Sequence, residues 1–271
     1  MAERARKTSR NLPRMFGVIV FAVLATLGTA GTASAVKATN YVALGDSFSS
    51  GLGAGSYDSS GGCKRSSNAY PQFWADRHAG TRFSFVACSG ARTSDVLNQA
   101  SAVNSSTTMV TVSVGGNDAG FSDVITTCTL DSDQVCIDRV NRAKAYANNT
   151  LPALLDKVYA TIKKKGPSAR LIVLGYPRFY TVPGSCNIGL SDIKRSAINS
   201  GADTLATVIG SRARAAGATF VDVRPNFTGH NICSAGTQYL HSLTWPADES
   251  YHPTVAGQSS GYYPALKAVT G

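Results

Sequence analysis

Apolar residues gather in short runs at 41–44, 83–86, 109–114, 171–174 and 220–223, and each run is read as a strand. Between the runs, apolar positions recur at helical spacing. The clearest series is Leu151, Leu154, Leu155, Val158 and Ile162, with Pro152 near the helix start, where its missing N–H is harmless. Further helices are predicted over 69–79, 136–148, 191–216 and 253–269. Strands alternating with helices imply parallel β-α-β units, hence an α/β fold with a doubly wound, mostly parallel five-stranded sheet between helical layers. In such a sheet ligands sit beyond the carboxyl ends of the strands, so chemistry is sought just after each run. The stretches 56–68, 121–134 and 180–190 are read as loops that would shape a pocket.

The first residues follow a different pattern. Arg4, Arg6, Lys7, Arg10 and Arg14 precede an apolar run from Phe16 to Leu27, followed by small residues ending in Ala33-Ser34-Ala35. This is the layout of a secretory signal peptide, and the run is too short for a spanning helix. Cleavage is expected after Ala35, giving a leader at 1–35, one folded domain at 36–271 and a secreted, extracellular product. The leader also carries much of the charge. The formal net charge of +10 falls to +6 without it. The densest remaining basic run, Lys163-Lys164-Lys165, lies before Gly166-Pro167 and suits a helix C-terminus rather than nucleic acid.

Gly and Pro together number 36 of 271 residues, far from a disorder-prone composition. All six cysteines, Cys63, Cys88, Cys128, Cys136, Cys186 and Cys233, fall after the leader, so three disulfides are expected in an exported chain. Pairing of sequence neighbours closes the shortest loops: Cys63 with Cys88, Cys128 with Cys136, and Cys186 with Cys233. No C-x-x-C or H-E-x-x-H occurs, which leaves little support for a metal.

Four segments at strand ends or loop mouths carry candidate chemistry. After the first run stands Gly45-Asp46-Ser47, a serine where a strand breaks into a turn. After the second comes Cys88-Ser89-Gly90, whose glycine N–H has no side chain to bar a ligand. After the third comes Gly115-Gly116-Asn117-Asp118, offering an amide donor, and near the C-terminus lies Asp248-Glu249-Ser250-Tyr251-His252-Pro253. Each alone reads as a turn or helix cap. Together they supply every part of an acyl-transfer site.

In order, Gly45-Asp46-Ser47, Gly90, Gly116-Asn117-Asp118 and His252-Pro253 resemble the blocks of the GDSL or SGNH hydrolases, and the resemblance spans essentially all of 36–271. It is closest to the secreted lipases, esterases and A-type phospholipases of Streptomyces and related actinobacteria. The resemblance implies a three-layer α/β/α sandwich of flavodoxin-like order and disulfides between sequence neighbours. It makes Ser47 the nucleophile, His252 the general base and then acid, and Ser47 N–H, Gly90 N–H and the Asn117 side chain the oxyanion hole. No cofactor follows from it. The partner expected is a small-molecule or lipid ester, with transient contact at a lipid surface, no nucleic acid, and a monomeric enzyme.

The pattern departs at the third triad member. Relatives usually carry Asp three residues before the histidine, and here Glu249 stands there. Either Glu249 orients His252, or a backbone carbonyl near Trp245 does so and leaves a Ser-His dyad. Asp46, Asp118 and His230 read as structural. Gly51-Leu52-Gly53-Ala54-Gly55 imitates a dinucleotide loop, but Ser56 breaks the fingerprint. The expected activity is hydrolysis of lipid carboxylic esters. Phospholipase A and carbohydrate acetyl esterase are the enzymatic alternatives, and a noncatalytic surface-binding module is the other. No long apolar insertion suggests a lid, so little activation at a lipid interface is expected.

Overall fold

The computed structural model describes residues 38–184, 186 and 190–271, together with Met1, Ala2 and Asn11. The chain divides after Ala35 into two units, and the second is described here. The predicted leader, with its cleavage point, lies outside the described residues apart from those three.

Five strands form the sheet: β1 (Asn40–Gly45), β2 (Arg82–Phe85), β3 (Met109–Ser113), β4 (Arg170–Leu174) and β5 (Thr219–Val221). Every pairing is parallel and the order is β2-β1-β3-β4-β5. Inner strands β1, β3 and β4 are buried almost throughout, whereas edge strand β2 alternates exposed and half-buried positions. Coverage on both faces is why the inner strands are continuous apolar runs.

The helices are α1 (Ser47–Ser50), α2 (Tyr70–Asp76), α3 (Thr93–Gln99), α4 (Phe121–Leu130), α5 (Asp133–Asn149), α6 (Leu151–Lys165), α7 (Asp192–Ala215), α8 (Arg224–Phe227) and α9 (Tyr263–Thr270). Right-handed crossovers from this strand order send α2 and α9 to one face and α3, α6 and α7 to the other, and helices of the same group pack together. The result is the three-layer α/β/α sandwich. Lys163, Lys164 and Lys165 do close α6, before Gly166.

Two readings need correction. The stretch 121–134 is not simply a loop: Phe121, Val124, Ile125 and Cys128 share one face of α4. Its β-branched threonines blur the pattern, and the Cys128–Cys136 disulfide ties α4 to α5 as a helical hairpin. The helix predicted from Pro253 begins two residues later and passes through a π-helical turn, Gly257–Tyr262, before α9. Cys63–Cys88 and Cys186–Cys233 are the other two disulfides. Residues 185 and 187–189 of the 180–190 stretch lie outside the described ones.

Candidate active site

The strand order reverses at β1, whose successor in sequence lies on one side and β3 on the other. That switch point opens a crevice at the carboxyl ends of β1 and β3, where Ser47 and Asn117 emerge. Gly45 turns the chain there at φ +126°, and a Cβ on it would lie 2.6 Å from the Ser113 carbonyl oxygen, so only glycine fits. Asp46 then caps α1, its Oδ1 accepting from Phe48 N–H at 3.1 Å, and Ser47 is the first helical residue.

Ser47 Oγ lies 2.8 Å from His252 Nε2, and both residues are almost fully buried. The His252 Nδ1 partner is the Ser250 carbonyl oxygen at 3.0 Å. A carbonyl only accepts, so Nδ1 carries the proton and Nε2 presents its lone pair to the serine hydroxyl. Burial is the main cause that lowers the His252 pKa, to about 4, against the opposing pull of the Ser250 carbonyl and the Asp248 charge. The rings of Phe48 and Phe121 stand 5.4 and 6.1 Å from the imidazole. The histidine is therefore neutral at pH 7, the form a base requires.

The Glu249 carboxylate is not at the imidazole. It accepts from Tyr57 O–H at 2.7 Å, while the Glu249 carbonyl accepts from His252 N–H at 3.2 Å. Burial, then the bond to Glu249, pushes the Tyr57 hydroxyl up to about 12, so it remains a donor. The extra methylene and the tight turn of 247–250 carry the side chain onto the loop that follows α1. The carbonyl that meets the ring belongs to Ser250, not to a residue near Trp245.

The donors expected for an oxyanion lie at the ends of the three neighbouring strands. Gly90 has φ +78° and open space where a Cβ would stand. Among the described residues, no protein acceptor takes the N–H of Ser47 or Gly90. Asn117 Nδ2 spends one N–H on the Ala91 carbonyl at 3.0 Å, which fixes the amide and leaves its other N–H free. Asp118 accepts from Thr93 N–H and O–H, tying this loop to α3.

Asp46 joins the crevice to the core. Its carboxylate accepts from Ser113 Oγ at 2.6 Å and from the Tyr176 hydroxyl, and that hydroxyl accepts from Gly116 N–H at 3.1 Å. Burial raises the Asp46 pKa to about 6 despite these donors. Tyr57, Tyr176 and Ser250 went unnoticed in the sequence. A backbone carbonyl leaves no trace in residue type, and the tyrosines act from 130 and 192 residues away from their partners.

Other sequence candidates are structural. His230 stacks on Tyr239 with centroids 4.0 Å apart, and its Nδ1 meets the Thr237 carbonyl. Gly51 ends α1 at φ +87°, and a Cβ on Gly53 would press on His252 Cβ and the Pro253 carbonyl, so these glycines serve close packing.

An apolar cavity begins at Ser47 and Asn117 and runs between α4, α5 and α7, lined by Phe121, Val124, Ile125, Val140, Ala147, Phe179, Ile198 and Ala202. Its walls suit a hydrocarbon chain.

The model of the GDSL-like Lipase/Acylhydrolase family matches residues 43–259. A lipase of Streptomyces rimosus is 51% identical over 97% of this chain and all of its own length. The crystal structure of the extracellular lipase from that organism superimposes with TM-score 0.84 at 55% identity, covering 86% of this chain and 100% of the other. Phospholipase A1 from Streptomyces albidoflavus NA297 gives 0.82 at 55% identity, covering 85% and 99%. With the Gly45-Asp46-Ser47 block, the Gly90 and Asn117 loops and the His252 loop gathered at one switch point, this chain belongs to the GDSL-like lipase/acylhydrolase family and is a carboxylic ester hydrolase.

Proposed function

We propose that this enzyme is exported, loses residues 1–35, and hydrolyses carboxylic esters of lipids with acyl chains longer than acetyl through a Ser47–His252 dyad. The observation that carries the lipid reading is the apolar cavity leading from Ser47 between α4, α5 and α7. It favours an acyl chain over the acetyl group of a carbohydrate ester. Glycerides and phospholipids cut at an acyl ester share this chemistry, as the named relatives illustrate.

His252 Nε2 takes the Ser47 proton as Oγ bonds to the ester carbon. The negative charge moves to the former carbonyl oxygen, where Ser47 N–H, Gly90 N–H and the free Asn117 N–H receive it. Collapse breaks the ester C–O bond, and the leaving alkoxide takes the proton from His252. Water then gives its proton to His252 and attacks the acyl-serine. The second intermediate releases the carboxylic acid and returns the proton to Ser47. The Ser250 carbonyl holds the imidazole and its Nδ1 proton throughout.

Intact mass before and after a fluorophosphonate probe tests this reading. One adduct is expected on the wild type and none on Ser47→Ala. An adduct on both proteins, or on neither while both remain folded, overturns it. The unlabelled mass also tests the start at Val36 and the loss of six hydrogens in three disulfides.

A further inference from the structure

Trp245 is 87% exposed and Leu243 is 58% exposed, and both lie on the segment that carries His252. That segment is pinned at its base. His241 N–H donates to the His252 carbonyl at 2.9 Å, and Tyr251 N–H donates to the His241 carbonyl at 3.1 Å. Higher up, Thr244 N–H donates to Ser250 Oγ at 3.0 Å, and Ser250 in turn supplies the carbonyl that holds the imidazole. Two large apolar side chains therefore stand in water on a braced loop whose base belongs to the dyad. An exposed tryptophan is a poor use of a ring that gains free energy when its apolar body leaves water and its N–H stays wet.

The charge around this tip narrows the partner. Residues 242–251 contain no Lys or Arg. Their acids are occupied, Asp248 by Lys64 at 3.8 Å and Glu249 by Tyr57. Such a tip has no attraction for an anionic surface, and its affinity must come from burying the indole and the leucine. A lipid-water boundary matches an amphipathic ring of this kind.

We propose that Leu243 and Trp245 dock the enzyme on the surface of a zwitterionic lipid aggregate, the physical form in which its substrate is presented. This rests on the lipid reading above. Docking raises the local concentration of acyl esters at the Ser47 mouth. It acts on the apparent KM for aggregated substrate and leaves turnover of dissolved esters unchanged.

The sequence has two tryptophans, and Trp74 is buried in α2 with its Nε1 bonded to Thr270, so a change of emission reports on Trp245. The full exported protein is titrated with vesicles of diether phosphatidylcholine, which it cannot hydrolyse. A blue shift is expected, and the paired variant Leu243→Ser/Trp245→Ser is expected to partition at least about tenfold more weakly by co-sedimentation. The same variant keeps wild-type kcat/KM on a dissolved short-chain ester, which shows that the fold and dyad are intact. Trp245→Phe retains most of the partition.

Emission unmoved by vesicles overturns the proposal, as does equal partition of the paired variant. Binding that needs phosphatidylglycerol and disappears in salt also overturns it, and assigns adhesion to the basic surface. Absence of turnover on every dissolved ester defeats the lipid-hydrolase reading instead, and the vesicle measurement stands apart from that result.

Discussion

At the scale of single residues, the assignment turns on which group holds the imidazole. With the Ser250 carbonyl at Nδ1 and Glu249 bonded to Tyr57, Glu249→Gln is expected to keep kcat within a few-fold of wild type. His252→Ala is expected to abolish turnover. A loss of about a thousandfold or more in Glu249→Gln would restore a triad. Under the proposed mechanism Asn117→Ala removes one oxyanion donor, worth on the order of 3 kcal/mol at the transition state, so kcat is expected to fall by about a hundredfold or more while KM changes little. Steady-state kinetics on a dissolved ester separates these outcomes. His252 was legible as a candidate because its block is contiguous with Pro253, and the structure adds that its Nε2 meets Ser47 Oγ. Ser250 was not, because any residue at that position offers the same carbonyl.

At the scale of elements, the α4–α5 hairpin and α7 build the wall of the apolar cavity that the proposed function assigns to the acyl chain. Ala202 of α7 is 4% exposed and lines it. Under the proposed function, Ala202→Phe is expected to depress kcat/KM for esters of longer acyl chains at least about tenfold while an acetyl ester is hydrolysed normally, because the added ring fills the apolar cavity. Overpacking costs about 1–3 kcal/mol of stability, which a thermal melt reads separately. A parallel loss on both esters would place the acyl chain elsewhere. The strands were legible as short continuous apolar runs, and α5, α6 and α7 as long segments with apolar positions at helical spacing. Helix α4 was hidden because its threonines weaken the helical pattern and its stability comes from the disulfide and from packing on α5.

At the scale of the whole molecule, two buried groups pull the pH dependence of stability in opposite directions. His252 titrates near 4 in the fold against an ordinary 6.5, so its contribution is complete above 6.5 and is lost as pH falls towards 4. Asp46 titrates near 6 against 3.8, so folding binds its proton more tightly and stability is gained as pH falls from 6 towards 3.8. Each effect amounts to about 3 kcal/mol, and in the wild type they largely offset. Asp46→Asn removes the gain and leaves the loss. Urea unfolding at pH 6.5 and pH 4.5 should show the variant losing clearly more stability than the wild type over that interval. Equal losses would mean that Asp46 is not held as the structure has it.

The sequence by itself determined the α/β class, the parallel sheet, the expectation of export and the family resemblance. These follow from local patterns: runs and spacings, a charged and apolar N-terminus, and short blocks at strand ends. Only the tertiary structure decided which carbonyl serves His252, where the Glu249 side chain goes, and that Asp46 is bridged through Tyr176 to the Asn117 loop. It also decided that residues of 121–134 line an apolar cavity beside Ser47 and that Trp245 stands in water. These are contacts between residues far apart in the chain or made by the backbone. Packing fixes them, and no local run of residue types encodes packing.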